Sequence, residues 1–169
     1  IAVPDEPVTV IISKNGWVRS RQGHGIDPAS ITYKTGDFPW LVAETRTVWP
    51  LIVIDGNGRS YSVKVSDLPG GRGDGAPLNT MIDFQEGGKL ALALTAAPEC
   101  KYLVAGSGGY GFVTSVADMI ARNKAGKVPE PISTTAGVDF KKQGNKVRGD
   151  WLVIDVPTIL ATVERQKNR

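Results

Sequence analysis

Three stretches of this chain align without gaps around a glycine-centred turn, and this repeat constrains the fold more than any other feature. They are residues 10–20 (VIISKNGWVRS), 52–62 (IVIDGNGRSYS) and 103–113 (LVAGSGGYGFV). Each has an apolar triplet, a small or polar pair, then Asn-Gly or Gly-Gly, then a mixed aromatic and β-branched run. Asn-Gly and Gly-Gly supply the residues of positive φ that a type I′ turn requires. The repeat therefore predicts three β-hairpins.

The spacing of the apolar triplets predicts how the hairpins are arranged. The triplets centre on Ile11, Val53, Val104 and Val153, at intervals of 42, 51 and 49 residues. A period of this size with several short strands per unit is typical of propeller-like arrays. Further strands are expected at residues 31–33, 40–43 and 89–94, with one helical turn within 116–124. We expect an all-β, propeller-like disc of three to four blades.

Residues 106–111 offer a second interpretation, because Gly106, Gly108 and Gly111 match the G-x-G-x-x-G fingerprint of dinucleotide-binding loops. That motif requires a helix directly after its last glycine. A β-rich run, FVTSV, follows instead. The hairpin interpretation explains three places in the chain at once and is favoured.

The repeat weakens beyond residue 128. No glycine turn follows Asp155, and residues 129–149 resemble none of the earlier copies. We predict three blades within residues 1–128. Residues 129–169 form an atypical, degenerate or incomplete fourth blade, or a basic tail of the same domain. Since the sequence begins IAVPDEPV without an initiator Met or a signal segment, we expect it to be a piece of a longer protein.

Composition narrows the chemistry. The chain has 169 residues, the length of one ordinary domain, and contains one cysteine, Cys100, and one histidine, His24. We therefore expect no disulfide, no metal site, no cofactor in this domain and no catalytic triad. No apolar run approaches the ~20 residues of a membrane span. The net charge of +3 and pI near 9.0 permit a nucleic-acid partner.

Several motifs occur in order along the chain: EPVTV (6–10), SKNGWVR (13–19), DGNGRSY (55–61), RGDG (72–75), GYGFV (109–113) and ARNKAGK (121–127). With these motifs, roughly residues 6–128 resemble the C-terminal domain family of the A subunit of bacterial topoisomerase IV, to which the corresponding gyrase domain is related.

The resemblance implies a β-pinwheel, in which neighbouring blades exchange strands and a basic rim binds and bends double-stranded DNA. It implies a non-catalytic module, since the catalytic tyrosine and the metal and ATP sites of such enzymes lie elsewhere in the parent protein. The remainder of the A subunit and the ATPase-bearing B subunit are the implied protein partners, with ATP and Mg used by the parent enzyme in the cytoplasm, at the nucleoid. Asp74 stands where the gyrase box is basic, which favours DNA bending over full wrapping.

We expect phosphate contacts from basic residues on hairpin arms and inter-blade loops, because Lys and Arg displace counterions from DNA. The predicted DNA-binding residues are Arg19, Arg21, Arg59, Lys64, Arg72, Arg122, Lys124 and Lys127. The alternative is that they are ordinary solvated charges and that the domain binds proteins instead. The aromatic residues after the turns are expected to pack within blades rather than stack on bases. They are Trp17, Tyr61, Tyr110 and Phe112.

Overall fold

A computed structural model describes residues 2–56, 58–70, 73–85, 87–106, 111–127, 133–135 and 151–155. Its strands are β1 (Pro7–Ser13), β2 (Trp17–Gln22), β3 (Pro39–Arg46), β4 (Pro50–Asp55), β5 (Ser60–Lys64), β6 (Ala76–Pro77), β7 (Leu90–Thr95), β8 (Lys101–Gly106), β9 (Gly111–Ser115), β10 (Ser133–Thr135) and β11 (Trp151–Asp155). One α-helical turn, α1 (Val116–Met119), and three 3-10 turns (Pro28–Ser30, Val65–Asp67, Leu78–Thr80) complete the described elements.

The strands form three antiparallel sheets. The first has the order β3-β1-β2-β6, the second β5-β4-β7 and the third β10-β9-β8-β11. The predicted hairpins are the pairs β1–β2, β4–β5 and β8–β9 within these sheets. Because β8 and β9 are antiparallel neighbours, a strand–helix crossover at Gly111 is ruled out, and the dinucleotide-loop alternative falls with it.

The predicted turn type was wrong in the first two hairpins. Gly16 N–H donates to Ser13 O (3.0 Å), so the turn centres on Lys14 and Asn15 and Gly16 follows it with φ of 84°. Gly58 likewise donates to Asp55 O (3.1 Å) with φ of 83°. In both hairpins this hydrogen bond closes a turn that ends at a glycine of positive φ, whereas a two-residue type I′ loop has positive φ at both central residues. The turn of the third hairpin lies outside the described residues.

Neighbouring sheets exchange strands. β6 follows the second hairpin in sequence, yet Ala76 pairs with Val18 and Pro77 with Trp17 in the first sheet. Lys127 follows the third hairpin and pairs with Ser60 of the second sheet. In the first sheet the edge beside β2 is thus covered by a strand, and in the second sheet the edge beside β5 by a single bridge residue, each from the chain that has just completed the next hairpin.

One further strand prediction needs correction. Residues 31–33 form no strand, because Ile31 turns inward directly after the 3-10 turn Pro28–Ser30 and is buried. The apolar triplet centred on Val153 does form a strand, and the residues that follow Asp155 lie outside the described part. This strand, β11, pairs with β8 as β3 pairs with β1 and β7 with β4. The domain boundary at residue 128 stays a prediction, since most of residues 129–169 lie outside the described part.

Among the described residues, two apolar cores hold the sheets together, and β4 serves both because all its residues are buried. Leu51 and Val53 share a core with Val10 and Ile12 of the first sheet. Ile52 and Ile54 face the opposite way and share a core with Val104, Val116 and Met119. This alternation is that of a strand with a packed layer on each face.

Candidate nucleic-acid interface

Arg19, on β2, is an interior residue in this structure, not a surface cation. It is 7% exposed. Its Nη1 donates to Gly73 O (2.8 Å), its Nη2 donates to Thr32 O, and its guanidinium carbon lies 5.6 Å from the centroid of the Tyr33 ring. A phosphate contact requires free, accessible N–H groups. The structure therefore gives Arg19 a different role from the predicted one: it links the first sheet to the loop that precedes β6.

Arg59, directly before β5, is also engaged within the protein. Its Nε donates to Ala125 O (2.6 Å) and its Nη2 to Gly126 O (3.0 Å), and the side chain is half-buried. The guanidinium fork thus spans two successive carbonyl groups of the loop that leads into Lys127. As with Arg19, the predicted phosphate contact is replaced by a bond to a neighbouring segment.

Arg21, at the end of β2, is exposed and lines a surface depression of about 530 Å³. The same depression is lined by the hydroxyl-bearing Ser20 and Ser66 and by Gly70, while Glu6 contributes one carboxylate. Arginine beside hydroxyl groups and accessible backbone is a chemistry suited to phosphate oxygens.

Lys64, at the end of β5, is exposed beside a second depression of about 350 Å³, whose lining is mostly apolar. The two depressions share Thr47 and Ser66, so Arg21 and Lys64 lie on either side of a common wall.

The loop of residues 121–127 carries three of the predicted cations. Arg122 and Lys124 are exposed and Lys127 is half-exposed. The loop is anchored to β5 at its start, where Ala121 N–H donates to Ser62 Oγ (2.9 Å), and at its end, where Lys127 and Ser60 exchange backbone hydrogen bonds. Lys124 Nζ also donates to Thr80 O (3.2 Å). Arg122 thus directly follows a residue fixed to the strand that ends in Lys64.

Other predictions fall partly outside the described residues, which do not include Arg72, Tyr110 or the side chain of Phe112. Tyr61 is fully buried, with its ring edge-on to Phe84 at 5.0 Å, which confirms the packing prediction. Trp17 is half-buried and carries Lys34 Nζ 3.5 Å from its ring centroid.

Burial raises the pKa of two tyrosines at these contacts. Burial raises the pKa of Tyr61 above its usual range, and the neighbouring Asp55 carboxylate, which accepts from the phenol at 3.0 Å, adds to the rise. Burial also raises the pKa of Tyr33, although the Arg19 guanidinium acts in the opposite direction.

His24 is a partnered surface residue. Its Nε2 lies 2.7 Å from Thr45 O and its Nδ1 lies 3.3 Å from Glu44 Oε2. Within the described residues no group of three His, Cys, Asp or Glu side chains is arranged to hold a metal ion. No described helix is long and apolar enough to cross a bilayer.

Sequence reasoning missed two glycines that shape the interface. Gly75 (φ 89°) and Gly126 (φ 71°) each directly precede the residue that pairs with the neighbouring sheet, Ala76 or Lys127. The interval of 51 residues that aligns the second and third hairpins also aligns these glycines, so the repeat itself carried the signal. The first depression gave no such signal, because segments distant in sequence form it.

The sequence of this chain is similar to those of known proteins. The chain is 43% identical over 128 residues to the A subunit of DNA topoisomerase 4 from Neisseria gonorrhoeae, covering 73% of this chain and 16% of that protein. It is 37% identical over 150 residues to the Pseudomonas aeruginosa protein of the same name, covering 89% of this chain and 20% of that protein. The chain thus spans about a fifth or less of the length of these relatives. No family model matches it.

Two solved structures have a fold similar to that of this chain. The E. coli ParC C-terminal domain superposes with a TM-score of 0.70 at 34% identity, covering 88% of this chain and 57% of that one. A second structure, the C-terminal domain of DNA topoisomerase IV, has a TM-score of 0.59 at 17% identity, covers 82% of this chain and 46% of that one, and shows the fold alone. With its three sheets and exchanged strands, the chain belongs to the family of C-terminal β-pinwheel domains of the DNA topoisomerase IV A subunit.

Proposed function

We propose that this domain binds and bends duplex DNA and takes no part in the chemistry of strand passage. The observation that carries the proposal is the position of the accessible cations in a chain of this family. Arg21 and Lys64 flank two adjoining depressions, and Arg122, Lys124 and Lys127 follow on one anchored loop. Arg72 remains a proposed contact from the sequence. Arg19 and Arg59 are not part of the proposed contact set.

The chemistry fits sequence-tolerant binding. Lysine and arginine side chains neutralise phosphates and release counterions whatever the base sequence. Because these cations belong to successive strand-exchanged sheets, a duplex that touches all of them follows the path of the sheets rather than a straight line. The additional phosphate bonds along that path offset the elastic cost of bending, which is of the order of a few kcal/mol for a short site.

In the intact enzyme, the domain would present a DNA segment to the catalytic core for relaxation and decatenation. We propose the remainder of the A subunit and the ATPase-bearing B subunit as its partners, with ATP and Mg used elsewhere in the assembly. The proposed setting is the bacterial cytoplasm, at the nucleoid.

Fluorescence anisotropy of a labelled duplex, titrated at several salt concentrations, tests the proposal. About five phosphate contacts predict a slope of log K against log[salt] of about −4 to −5. Reversing charge with Arg122→Glu and Lys124→Glu should weaken binding at least tenfold and flatten the slope by about 2. Lys89→Glu, an exposed cation next to β7 at the other edge of the second sheet, is the matched control. A flat salt dependence, or reversal variants that bind like the control, would instead favour the protein-interaction alternative.

A further inference from the structure

We propose that Arg59 is a positioning residue for this interface: it holds the loop of residues 121–127 in the conformation that presents Arg122, Lys124 and Lys127 to DNA. The inference rests on the proposed function, because it assigns a role within the same DNA-binding surface. It concerns a cation that does not itself touch the duplex.

The first step is the geometry of the loop. Both ends are held by β5, through the bond between Ala121 and Ser62 and the backbone pair between Lys127 and Ser60. Gly126, with a φ of 71°, lies where the loop returns to β5, directly before Lys127. The carbonyl groups of Ala125 and Gly126 are the acceptors that Arg59 engages, at 2.6 and 3.0 Å.

The second step concerns the choice of side chain. Two successive carbonyls match the fixed fork of a guanidinium, whereas a lysine ammonium is a single point of donation on a flexible stem. Arg59 lies in the hairpin connection directly before β5 of the second sheet, while the loop belongs to chain that has just completed the third hairpin. The bond therefore sets the loop's cations relative to Lys64, at the far end of β5.

The third step is the recurrence of the device. Arg19, on the first sheet, donates to Gly73 O in the loop that leads into β6, and Gly73 directly follows Arg72 in sequence. At each of these two sheets, one arginine thus holds the segment that follows the next hairpin in sequence and returns to the sheet. In both cases the held segment carries predicted DNA contacts.

The test compares three single variants in the anisotropy and salt titration described above. Arg59→Met should lower the magnitude of the slope by about 2, more than the loss of one phosphate contact, and weaken binding about 10- to 100-fold. Arg59→Lys keeps the charge but bonds only one carbonyl, so it should fall between Arg59→Met and wild type. Lys89→Met, which removes one charge from the opposite edge of the sheet, should leave the slope unchanged.

A double-mutant cycle with Arg122→Ala separates positioning from direct contact. If Arg59 acts through the loop, the effects of Arg59→Met and Arg122→Ala are not additive, because the first already misplaces the second residue. Additive effects, together with an Arg59→Lys variant that binds like wild type, would overturn the inference and make Arg59 a phosphate contact.

Hydrogen exchange gives a readout without DNA. Amides of residues 122–126 should exchange faster in Arg59→Met while those of β4 stay protected. Should Arg59→Met fail to fold, Arg59→Lys and its cycle with Arg122→Ala decide the question. If the wild-type domain shows no salt-dependent DNA binding, the proposed function fails. If the wild-type domain binds DNA, but the Arg59 variants change neither the hydrogen exchange of residues 122–126 nor the salt slope, only the role of Arg59 fails.

Discussion

The two junctions between sheets make an instructive comparison. In the first junction (residues 16–20 with 69–70 and 73–78), Gly75 precedes Ala76, which pairs with Val18. In the second junction (residues 58–62 with 119–127), Gly126 precedes Lys127, which pairs with Ser60. Shifting the first hairpin by 42 residues superposes Val18 on Ser60, so the backbone arrangement is repeated.

The side chains at the two junctions differ in a systematic way. The same shift aligns Trp17 with Arg59 and Arg19 with Tyr61, so the arginine and the aromatic residue exchange places. In each junction the arginine nevertheless reaches backbone carbonyls of the incoming loop. The repeat thus preserves the backbone junction and allows different side chains to complete it. A basic residue that recurs in such a repeat is not, by recurrence alone, a surface contact.

The strongest way to break either junction is to add a methyl group at its glycine. A Cβ at residue 75 would lie 2.1 Å from Val18 O, and one at residue 126 would lie 2.5 Å from Ser60 O and 2.7 Å from the Tyr61 ring. We expect Gly75→Ala and Gly126→Ala to lower the free energy of unfolding by about 2–4 kcal/mol each, since left-handed strain and overpacking add. Urea unfolding measures the loss.

Gly36→Ala is the matched control for that prediction. Gly36 has a similar φ of 81° but open space around the position of a Cβ. It should cost about 1 kcal/mol, the strain alone. Equal losses at residues 36, 75 and 126 would mean that the close backbone approach at the junctions has no energetic weight.

The sequence predicted the three hairpins because they depend on local patterns. An apolar triplet and a glycine turn determine a hairpin within about ten residues. Strand exchange was expected only from the family resemblance, because it depends on which distant segment reaches a free edge, and neither β6 nor Lys127 has a strand-like sequence of its own. The burial of Arg19 could not be predicted from the sequence for the same reason, since its hydrogen-bond acceptors lie 13 and 54 residues away along the chain. Val153 lies in β11, an edge strand that pairs with β8 and carries an apolar triplet of its own, so the triplet alone does not identify the first strand of a hairpin.

The residues that directly precede the first two hairpin loops, Ser13 and Asp55, should also differ in how much they stabilise the fold, with a somewhat smaller effect. Ser13 Oγ accepts from Trp17 N–H (3.1 Å), while Asp55 accepts from Arg59 N–H (3.0 Å) and from the Tyr61 hydroxyl (3.0 Å). Asp55→Ala should cost about 2–3 kcal/mol because buried donors lose their acceptor, and Ser13→Ala about 1 kcal/mol. Chemical denaturation of both variants gives the comparison. Equal costs would show that the carboxylate adds nothing beyond closing the loop.

The arginines provide a finer contrast in stability. We expect Arg19→Met to cost about 1–2 kcal/mol, because the lost bonds to Gly73 and Thr32 are partly offset by the easier burial of methionine. Arg59→Met should cost about 1 kcal/mol or less, since the loop of residues 121–127 can relax into solvent when the bonds of this half-exposed side chain are lost. Thermal unfolding of the two variants ranks them, and the reverse order would contradict the burial difference on which the assignment of Arg19 depends.

Alkaline pH provides the gentlest comparison between the junctions, through Tyr61 and Tyr33. Both have a pKa raised above the usual value near 10, with burial as the main cause. Above about pH 10 the unfolded chain ionises its tyrosines first, so stability that is fully present below that pH is lost as pH rises toward the folded pKa. Tyr61→Phe should flatten this decline in urea midpoints measured between about pH 9 and 11, and Tyr33→Phe should flatten it less. Tyr33 is only half-buried and has the Arg19 guanidinium beside it, which favours its ionised form. An equal flattening in both variants would mean that the Arg19 guanidinium does not influence the pKa of Tyr33. It would also mean that an ionised tyrosine is tolerated no better at the first junction than at the second.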